Sequence, residues 1–295
     1  MEKPKIIIIG ANGMLGQALV KSFKKDSRYL ILAWDREDID IADEKLIKEK
    51  ILRESPFLII NAAACNAVDR IEEDAEAYAL AKKINSDGPK YLALIAKQLG
   101  IVLVHYVSDY VFDGEKKEYL ESDLPKPISR YGETKLVGEE NVRKILKKYY
   151  LIRTSKLFGA PALSAGAKKS FFAIMLDLAK KNNTLKAVDE EISCFTYVDD
   201  LSDATKKLVE KRFPFGIYHL VNEGEETWYS ALEKFFKLIK IEGIRILSVS
   251  SSEFPRSAKR PKKSVLKNTK FPHLRSWQEA VMDWLEKDEI VCEAK

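Results

Sequence analysis

A glycine-rich turn near the start of the chain constrains the fold more than any other feature of the sequence. The apolar run Ile6–Ile9 leads directly into Gly10–Gly16 (GANGMLG), and a helical pattern follows. Gly10 permits a tight turn, Gly13 lets the backbone approach a pyrophosphate, and Gly16 lets the helix pack close to the strand. The N–H groups and the dipole at the helix start favour negative charge there. This strand, turn and helix together predict a dinucleotide site formed by Gly10, Asn12, Gly13, Met14, Leu15 and Gly16.

Short apolar runs alternate with amphipathic stretches through the first half of the chain. The predicted strands are Ile6–Ile9, Tyr29–Trp34, Phe57–Ile60, Ile101–Val107 and Tyr149–Arg153. The predicted helices are Met14–Lys25, Leu46–Arg53, Ala75–Leu99 and Tyr131–Lys147, with a candidate break at Gly88-Pro89. Alternation of this kind predicts an α/β protein built on a Rossmann-type doubly wound parallel sheet.

The pattern becomes irregular in the second half. Helical patterns cover Ser170–Lys180, Asp199–Lys211, Thr227–Ile239 and Trp277–Lys287, while Gly216–Val221 is strand-like and 248–272 is polar. We expect residues 1–160 to form the dinucleotide-binding domain, with 185–215 returning to it. Residues 161–295 should form mainly a smaller C-terminal α/β domain that binds the substrate.

Composition narrows the class of protein. Hydrophobic residues make up 46% of the 295 residues, which is enough for a full core. The sequence contains no apolar run of about 18 residues, so we expect no membrane span. The 50 basic and 45 acidic residues are interspersed, and a net charge of +5 does not indicate a nucleic-acid-binding surface. The run Ile6–Ile9 is too short for the core of a signal peptide, so a cytoplasmic protein is expected.

The three cysteines, Cys65, Cys194 and Cys292, lie far apart. Their spacing matches neither a disulfide framework nor a metal site. We therefore expect buried or idle thiols and no metal.

The end of the second predicted strand carries two conflicting cofactor signals. Asp35 occupies the place where an acid takes the ribose hydroxyls of NAD. Arg36, beside it, is suited to the extra phosphate of NADP. A second acid, Asp40, follows with Ile41. NADPH and NADH therefore both remain candidates.

A tyrosine and a lysine four residues apart form the candidate catalytic pair. Tyr131 and Lys135 share one face of a predicted helix. A nearby ammonium favours the phenolate and should lower the pKa of Tyr131, which could then give its proton to an alkoxide. Ser108 ends a predicted parallel strand, where its hydroxyl could polarise a substrate carbonyl.

Several longer segments carry a resemblance to a known family. They are Asn61–Ala64 (NAAA), Ala67–Glu72 (AVDRIE), Ser108–Gly114 (SDYVFDG), Tyr131–Glu139 (YGETKLVGE), Tyr218–Val221 (YHLV), Thr227–Trp228 and Arg260–Leu266 (RPKKSVL). With these segments the chain resembles the extended short-chain dehydrogenases/reductases, and within them the dTDP-4-dehydrorhamnose reductase family, over essentially its full length.

The resemblance implies a role for each matching position. Tyr131 would be the proton donor, Lys135 would hold the nicotinamide ribose, and Ser108 would stand where the family usually has threonine. Asn85 would brace the backbone of the site. The remaining cofactor contacts would come from Ala62, Ala63 and Ala64 and, around the adenine, from Asp40 and Ile41. The substrate contacts would come from Ser108, Asp109, Lys156, Ser170, Trp228 and Arg260. The implied reaction is hydride transfer to C4 of a 4-keto nucleotide sugar, giving dTDP-L-rhamnose.

The substrate half departs from the family pattern. The family has Arg-Thr-Ser-Trp after the fifth strand, whereas this chain has Lys156 in place of the tryptophan. Ser170 replaces an asparagine, and the loop Glu190–Thr196 lacks the glycine and proline of the family. Glutamates through which some members bind magnesium have no match, which again predicts no metal.

These departures leave other functions open. One is reduction of another nucleotide sugar. Another is a non-catalytic NADP-binding regulatory subunit, as in the beta subunit of methionine adenosyltransferase, which resembles the same family. The oligomeric state is open, with a homodimer among the candidates.

Overall fold

A six-stranded parallel sheet forms the centre of the molecule. The computed structural model describes residues 3–164 and 167–288. Its strands, in chain order, are β1 (Lys5–Ile9), β2 (Leu30–Trp34), β3 (Leu58–Asn61), β4 (Val102–Ser108), β5 (Tyr149–Thr154), β6 (Leu157–Phe158), β7 (Thr184–Val188), β8 (Ser193–Cys194), β9 (Thr196–Tyr197), β10 (Gly216–His219), β11 (Glu225–Glu226) and β12 (Arg245–Val249). The central sheet has the order β10-β5-β4-β3-β1-β2, and each pairing in it is parallel. The predicted doubly wound parallel sheet is confirmed.

Helices cover both faces of this sheet. They are α1 (Met14–Lys24), α2 (Glu44–Glu54), α3 (Val68–Glu73), α4 (Ala75–Lys82), α5 (Gly88–Leu99), α6 (Arg130–Ile145), α7 (Phe171–Ala179), α8 (Val198–Glu210), α9 (Trp228–Leu238) and α10 (Trp277–Lys287). Helices α1 and α8 pack together on one face, and α2, α5 and α6 pack on the other. None of the helices in the described ranges is long and apolar enough to span a membrane.

The first strand shows why the sheet is buried on both sides. Ile6 and Ile8 enter the core under α1, whereas Ile7 and Ile9 enter the core under α2 and α5. All four side chains are at most 1% exposed. A strand covered by helices on both faces favours β-branched residues without polar alternation, which is the pattern this strand has.

The long helical region predicted at Ala75–Leu99 is interrupted earlier than the sequence suggested. A π-helical turn covers Lys83–Asp87, and α5 begins at Gly88. Pro89 lies in the first turn of α5, where its missing N–H breaks no helical hydrogen bond. The interruption thus follows from the π-turn around Asn85, and the proline starts the next helix.

Two elements from the second half of the sequence pack against elements of the first half. Helix α8 packs on α1, and β10 adds a sixth strand beside β5. The strand itself was predicted, but Gly216–His219 lies in the segment expected to belong to the substrate half. Its side chains Tyr218 and His219 are buried, so the edge position is decided by tertiary packing.

The second half contains elements that the sequence pattern did not predict. Strands β7 and β12 pair in parallel across more than fifty residues of intervening chain, and α9 packs on them. An aromatic cluster holds this half together and includes Phe158, Phe172, Phe195, Phe235 and Trp277. Both paired strands are only five residues long and partly exposed, which explains their weak signal.

Two glycines of α6 let that helix touch neighbouring backbone directly. A Cβ atom at Gly138 would lie 2.1 Å from the carbonyl oxygen of Asn85, and one at Gly132 would lie 2.2 Å from that of Tyr110. Distances this short are not sterically possible. The position of α6 therefore depends on glycine at both places.

We expect Gly138→Ala to destabilise the protein by about 3 kcal/mol, because the new methyl group meets a backbone carbonyl that cannot rotate away. Chemical denaturation measures the free energy of unfolding. Val137→Ala, at an exposed position of the same helix, is the matched control and should change that free energy by less than about 0.5 kcal/mol. Equal stability of the two variants would contradict this view of the contact.

Candidate active site

The predicted cofactor and catalytic residues of the first half meet at the carboxyl edge of the central sheet. The glycine turn follows β1, Ala62–Ala64 follow β3, and Ser108 ends β4. These three strands are neighbours in the sheet. Parallel strands present such ends together, so the sheet itself assembles the site.

The glycine turn is held between β2 and β3. The N–H groups of Gly10 and Ala11 both donate to the carbonyl of Trp34 at the end of β2. Gly10 has φ +79°, and a Cβ there would lie 2.7 Å from the backbone nitrogen of Ala63. At Gly16 a Cβ would lie 1.9 Å from the carbonyl oxygen of Gly10. Only glycine fits these two positions.

Gly13 differs from its two neighbouring glycines. It is the N-cap of α1 with an ordinary φ of −69°, and a Cβ there would lie 3.2 Å from its nearest neighbour. No side chain caps the N-terminus of α1. Residues Met14 and Leu15 begin the helix, so their N–H groups are directed at the space beside Gly13. The turn therefore fits the phosphates of a dinucleotide.

The acid at the end of β2 is turned toward the glycine turn. The carboxylate of Asp35 accepts hydrogen bonds from the backbone N–H groups of Asn12 (2.8 Å) and Arg36 (2.7 Å). The side chain of Arg36 is exposed. Asp40 is exposed as well, whereas Ile41 is buried against Gly88.

Asn85 connects the loop after β3 to α6, the helix that carries Tyr131 and Lys135. Its side chain accepts from the N–H of Cys65 (2.8 Å) and donates to the carbonyl of Cys65 (2.9 Å) and the hydroxyl of Thr134 (3.0 Å). The residue is 1% exposed. A π-turn often accompanies a functional position, and here it places Asn85 between Cys65 and α6. The bracing expected for Asn85 matches these contacts.

Tyr131 lies one turn from Lys135 on α6, as the spacing predicts. Its ring packs edge-on against Tyr110, with centroids 5.8 Å apart. Burial raises the pKa of Tyr131 to about 12, and the neighbouring hydroxyl of Ser108 opposes the rise. The phenol is therefore protonated at neutral pH.

Lys135 is hydrogen-bonded to the backbone of β4. Its ammonium donates to the carbonyl oxygen of Tyr106 on β4 (2.7 Å), and burial lowers the pKa of Lys135 to about 8. The expectation that Lys135 lowers the pKa of Tyr131 is wrong for this structure, because burial dominates at Tyr131 and the ammonium is engaged elsewhere.

Asp109 is placed beneath the site rather than on its surface. Its carboxylate accepts from the hydroxyls of Ser108 (3.1 Å), Ser155 (2.8 Å) and Ser264 (2.5 Å). Burial raises the pKa of Asp109, against the effect of the three hydroxyls. Asp109 is 3% exposed, so its burial and these hydrogen bonds favour the positioning of Ser108, and the expected substrate contact stays a prediction.

Two of the substrate residues expected from the second half are engaged within the protein. Ser170 is 5% exposed and caps α7 through the N–H of Ala173. Arg260 forms a two-pronged ion pair with Asp69 (2.5 and 2.7 Å). This pair links the C-terminal half to α3, which follows the loop of the cofactor site.

Two cavities flank the polar segment 251–262. One of about 350 Å³ is lined by charged residues that include Glu191, Arg256, Lys259, Arg260 and Lys262. The other, of about 420 Å³, is lined mainly by apolar residues that include Phe171, Met175, Val188, Trp228 and Phe254. Of these residues, Arg260 and Trp228 are the two that the sequence predicts as substrate contacts. For the other cavity-lining residues, the closely spaced basic residues of the proline-containing segment 251–262 are the sequence feature that could have indicated a binding site.

Arg256 and Glu191 form the wall between the two cavities. The guanidinium pairs with the Glu191 carboxylate, which also accepts from Nε1 of Trp228 (3.1 Å). Lys156 lies behind this wall with its ammonium 3.7 Å from the ring centroid of Trp228. The structure thus brings Trp228 and Lys156 together.

The arrangement can support transfer of a hydride followed by protonation. A dinucleotide turn, a protonated tyrosine and a serine hydroxyl meet at one edge of the sheet. The two cavities, one lined by charged and the other by aromatic groups, together form a candidate substrate cleft on the side of Tyr110, which packs on Tyr131. A substrate with an anionic and an apolar portion fits such a cleft.

Comparison with known proteins agrees with this site. The family model described as RmlD substrate binding domain matches residues 4–290. The spore coat polysaccharide biosynthesis protein SpsK of Bacillus subtilis is 32% identical over 98% of this chain and 99% of its own length. The crystal structure of a dTDP-4-dehydrorhamnose reductase from Clostridium acetobutylicum has a TM-score of 0.89 and 35% identity, covering 97% of this chain and 100% of that chain. A dTDP-4-dehydrorhamnose reductase from Bacillus anthracis, solved in complex with NADP, has a TM-score of 0.90 and 31% identity at the same coverage.

Substitution of Gly13 and of Gly16 should affect stability and cofactor binding differently. We expect Gly13→Ala to keep the free energy of unfolding within about 1 kcal/mol of the native value, since its methyl group would lie 3.2 Å from the carbonyl oxygen of Gly10 and need only a small local shift. Its affinity for NADPH should nevertheless fall at least about tenfold, because the methyl group would occupy the approach of the pyrophosphate. Gly16→Ala should lose both stability and binding. Calorimetric titration with NADPH and urea denaturation give the two quantities, and unchanged affinity in Gly13→Ala would exclude this placement of the cofactor.

Proposed function

The chain belongs to the RmlD substrate binding domain family, and on that premise we propose that it reduces dTDP-4-dehydro-L-rhamnose to dTDP-L-rhamnose with NADPH or NADH. The observation that carries the proposal is the position of Ser108, Tyr131 and Lys135 on one edge of the sheet, beside a glycine turn that fits a dinucleotide. Relatives named for this reaction cover nearly the whole chain. The family resemblance expected from the sequence is confirmed.

In the proposed reaction, the reduced nicotinamide supplies a hydride to C4 of the sugar. Ser108 would donate a hydrogen bond to the C4 carbonyl oxygen, and Tyr131 would protonate the alkoxide as it forms. Because burial holds the pKa of Tyr131 at about 12, the phenol carries this proton throughout the neutral range. Lys135 would hold the ribose of the cofactor.

The substrate would lie along the segment 251–262. The charged cavity suits the diphosphate, because Lys259 and Lys262 contribute positive charge there beside the ion pair of Arg256 and Glu191. The apolar cavity suits the base, which would pack on Trp228. Arg260 would act mainly by holding this segment against Asp69.

We propose that the cofactor part of the molecule consists of residues 1–160 together with the returning chain. Helix α8 and strand β10 support this assignment, since they pack on α1 and β5. The substrate part would then be the remaining residues beyond 160. The returning segment extends past residue 215 to the end of β10.

The turnover assay tests the proposed function directly. We expect oxidation of the reduced cofactor, followed by absorbance, when the 4-keto sugar is formed in situ. Tyr131→Phe should bind NADPH normally, yet its kcat should fall about 10²- to 10⁴-fold, because the alkoxide loses its proton donor. Tyr110→Phe, which alters the neighbouring ring, is the control and should keep most of the activity.

Two other outcomes would support a different function for this chain. If both cofactors bind and another nucleotide sugar is turned over, the chain is a reductase for that sugar. If neither sugar is reduced but an adenosyltransferase co-purifies with the chain, the regulatory function is supported. A normal rate in Tyr131→Phe would remove Tyr131 from the chemistry.

We further propose that NADPH is preferred over NADH. Two backbone N–H groups occupy the carboxylate of Asp35, whereas Arg36 is exposed beside it and suited to a phosphate.

Arg36→Ala should therefore weaken NADPH binding about tenfold and leave NADH binding unchanged. Fluorescence titration of both cofactors measures the two affinities. The control is Arg53→Ala, at the exposed far end of α2. Equal loss for NADPH and NADH would contradict the assignment.

A further inference from the structure

Lys156 carries a buried positive charge to which the protein gives no hydrogen-bond acceptor. Within residues 3–164 and 167–288, four buried side-chain polar atoms have no hydrogen-bond partner, and Nζ of Lys156 is the only ammonium among them. Burial of an ammonium without an acceptor opposes folding. Its three N–H donors remain available to a ligand.

Two aromatic rings lie against the ammonium. Nζ lies 3.7 Å from the ring centroid of Trp228 and 4.8 Å from that of Phe195. The rings attract the charge through cation–π interaction but accept no conventional hydrogen bond. Trp228 also lines the apolar cavity, so the ring that contacts the ammonium borders the proposed substrate site.

The backbone at this position is strained as well. Lys156 has φ +34°, in the left-handed region that non-glycine residues seldom adopt. The preceding residue, Ser155, donates to Asp109, which in turn contacts Ser108. A strained residue next to a catalytic group is a frequent sign of function.

The neighbouring charges are already balanced. Asp109 and Glu191 are the carboxylates near Lys156, and Arg256 is the other cation. Asp109 accepts from serine hydroxyls, and Glu191 accepts from Arg256 and Trp228. Two cations thus match two carboxylates. A further carboxylate on a ligand would leave excess negative charge in a buried site, whereas a neutral oxygen would not.

We propose that Lys156 is a specificity-determining residue that donates a hydrogen bond to a neutral oxygen of the sugar, which the site thereby prefers over a carboxylate-bearing sugar. The proposal rests on the proposed function, since it requires a sugar whose C4 oxygen reaches Ser108. Lys156 is connected to Ser108 through Ser155 and Asp109, which places it on the sugar side of the proposed substrate site.

The test compares nucleotide sugars with their parent nucleotides. Affinities of dTDP, dTDP-L-rhamnose, dTDP-glucose, UDP, UDP-glucose and UDP-glucuronate are measured by calorimetry in the presence of NADP. The gain in affinity from adding the neutral sugar should fall about ten- to hundredfold in Lys156→Met, while binding of free dTDP and of NADP stays unchanged. Lys148→Met removes an exposed lysine bonded to Gly100 and should behave as the native protein.

The other outcomes test the role of Lys156, the preference for a neutral sugar oxygen and the rhamnose assignment separately. A neutral-sugar gain that is equal in the native protein and Lys156→Met overturns the role of Lys156, as does the absence of any sugar gain. Tighter binding of UDP-glucuronate than of UDP-glucose overturns the preference for a neutral oxygen. If a neutral sugar other than rhamnose gives the gain, and Lys156→Met abolishes it, the role of Lys156 stands and the rhamnose assignment fails.

Stability provides a second readout that a merely structural lysine would not give. Burial lowers the pKa of Lys156 from its ordinary value of 10.5 to about 7. Attraction by Asp109 and Glu191 opposes this decrease, and repulsion from Arg256 adds to it. Below pH 7 the folded protein therefore buries a charge that the unfolded chain exposes to water, and this cost decreases as the pH rises from 7 toward 10.5.

Lys156→Met should accordingly raise the melting temperature, and by more at pH 6 than at pH 9. Lys156→Gln, which keeps a donor without the charge, should retain part of the sugar gain and show the same trend in melting temperature with pH. A lower melting temperature in both variants at pH 6 would mean that the lysine serves the fold, and would overturn the proposal.

Discussion

The close contact between α6 and the turn before α5 is the constraint on which the site depends. Gly138 lets the helix touch the carbonyl of Asn85, and the side chain of Asn85 holds both Thr134 and the loop at Cys65. The helix that carries the catalytic pair is thereby fixed to the loop that passes beneath the proposed cofactor. Because these contacts are backbone to backbone or fully buried, Tyr131 has little freedom to move relative to the sheet.

A buried ion pair reinforces this placement from below. Glu139 on α6 binds Arg153 on β5 through two hydrogen bonds of 2.6 and 2.8 Å, and both side chains are at most 1% exposed. Such a pair adds little net stability, but breaking it is costly, so it favours one position of the helix on the sheet. Burial and the adjacent Arg153 lower the pKa of His219 to about 4, so this neighbour adds no charge at neutral pH.

Buried polar groups near the active site differ in whether the protein supplies them with partners. Asn85, Glu139 and Arg153 form hydrogen bonds within the protein. Lys156, just beyond β5, is held among aromatic rings without an acceptor. In the role proposed for Lys156, a ligand would use the ammonium, and the cost in stability would be offset by function at this one position. The rigid aromatic cluster behind Trp228 and Phe195 keeps the ammonium in place.

The sequence by itself determined the Rossmann-type sheet, the glycine turn and the spacing of Tyr131 and Lys135. These features have local signals, since a buried parallel strand, a tight turn and a helical i, i+4 pair each depend on neighbours along the chain. Tertiary structure decided which side chains are free to act. It turned Lys135 toward Tyr106, engaged Ser170 in a helix cap and paired Arg260 with Asp69. It also joined β7 to β12 and brought Arg256 to Glu191. These outcomes depend on burial and on partners far away in the chain, and the residue types alone do not specify either.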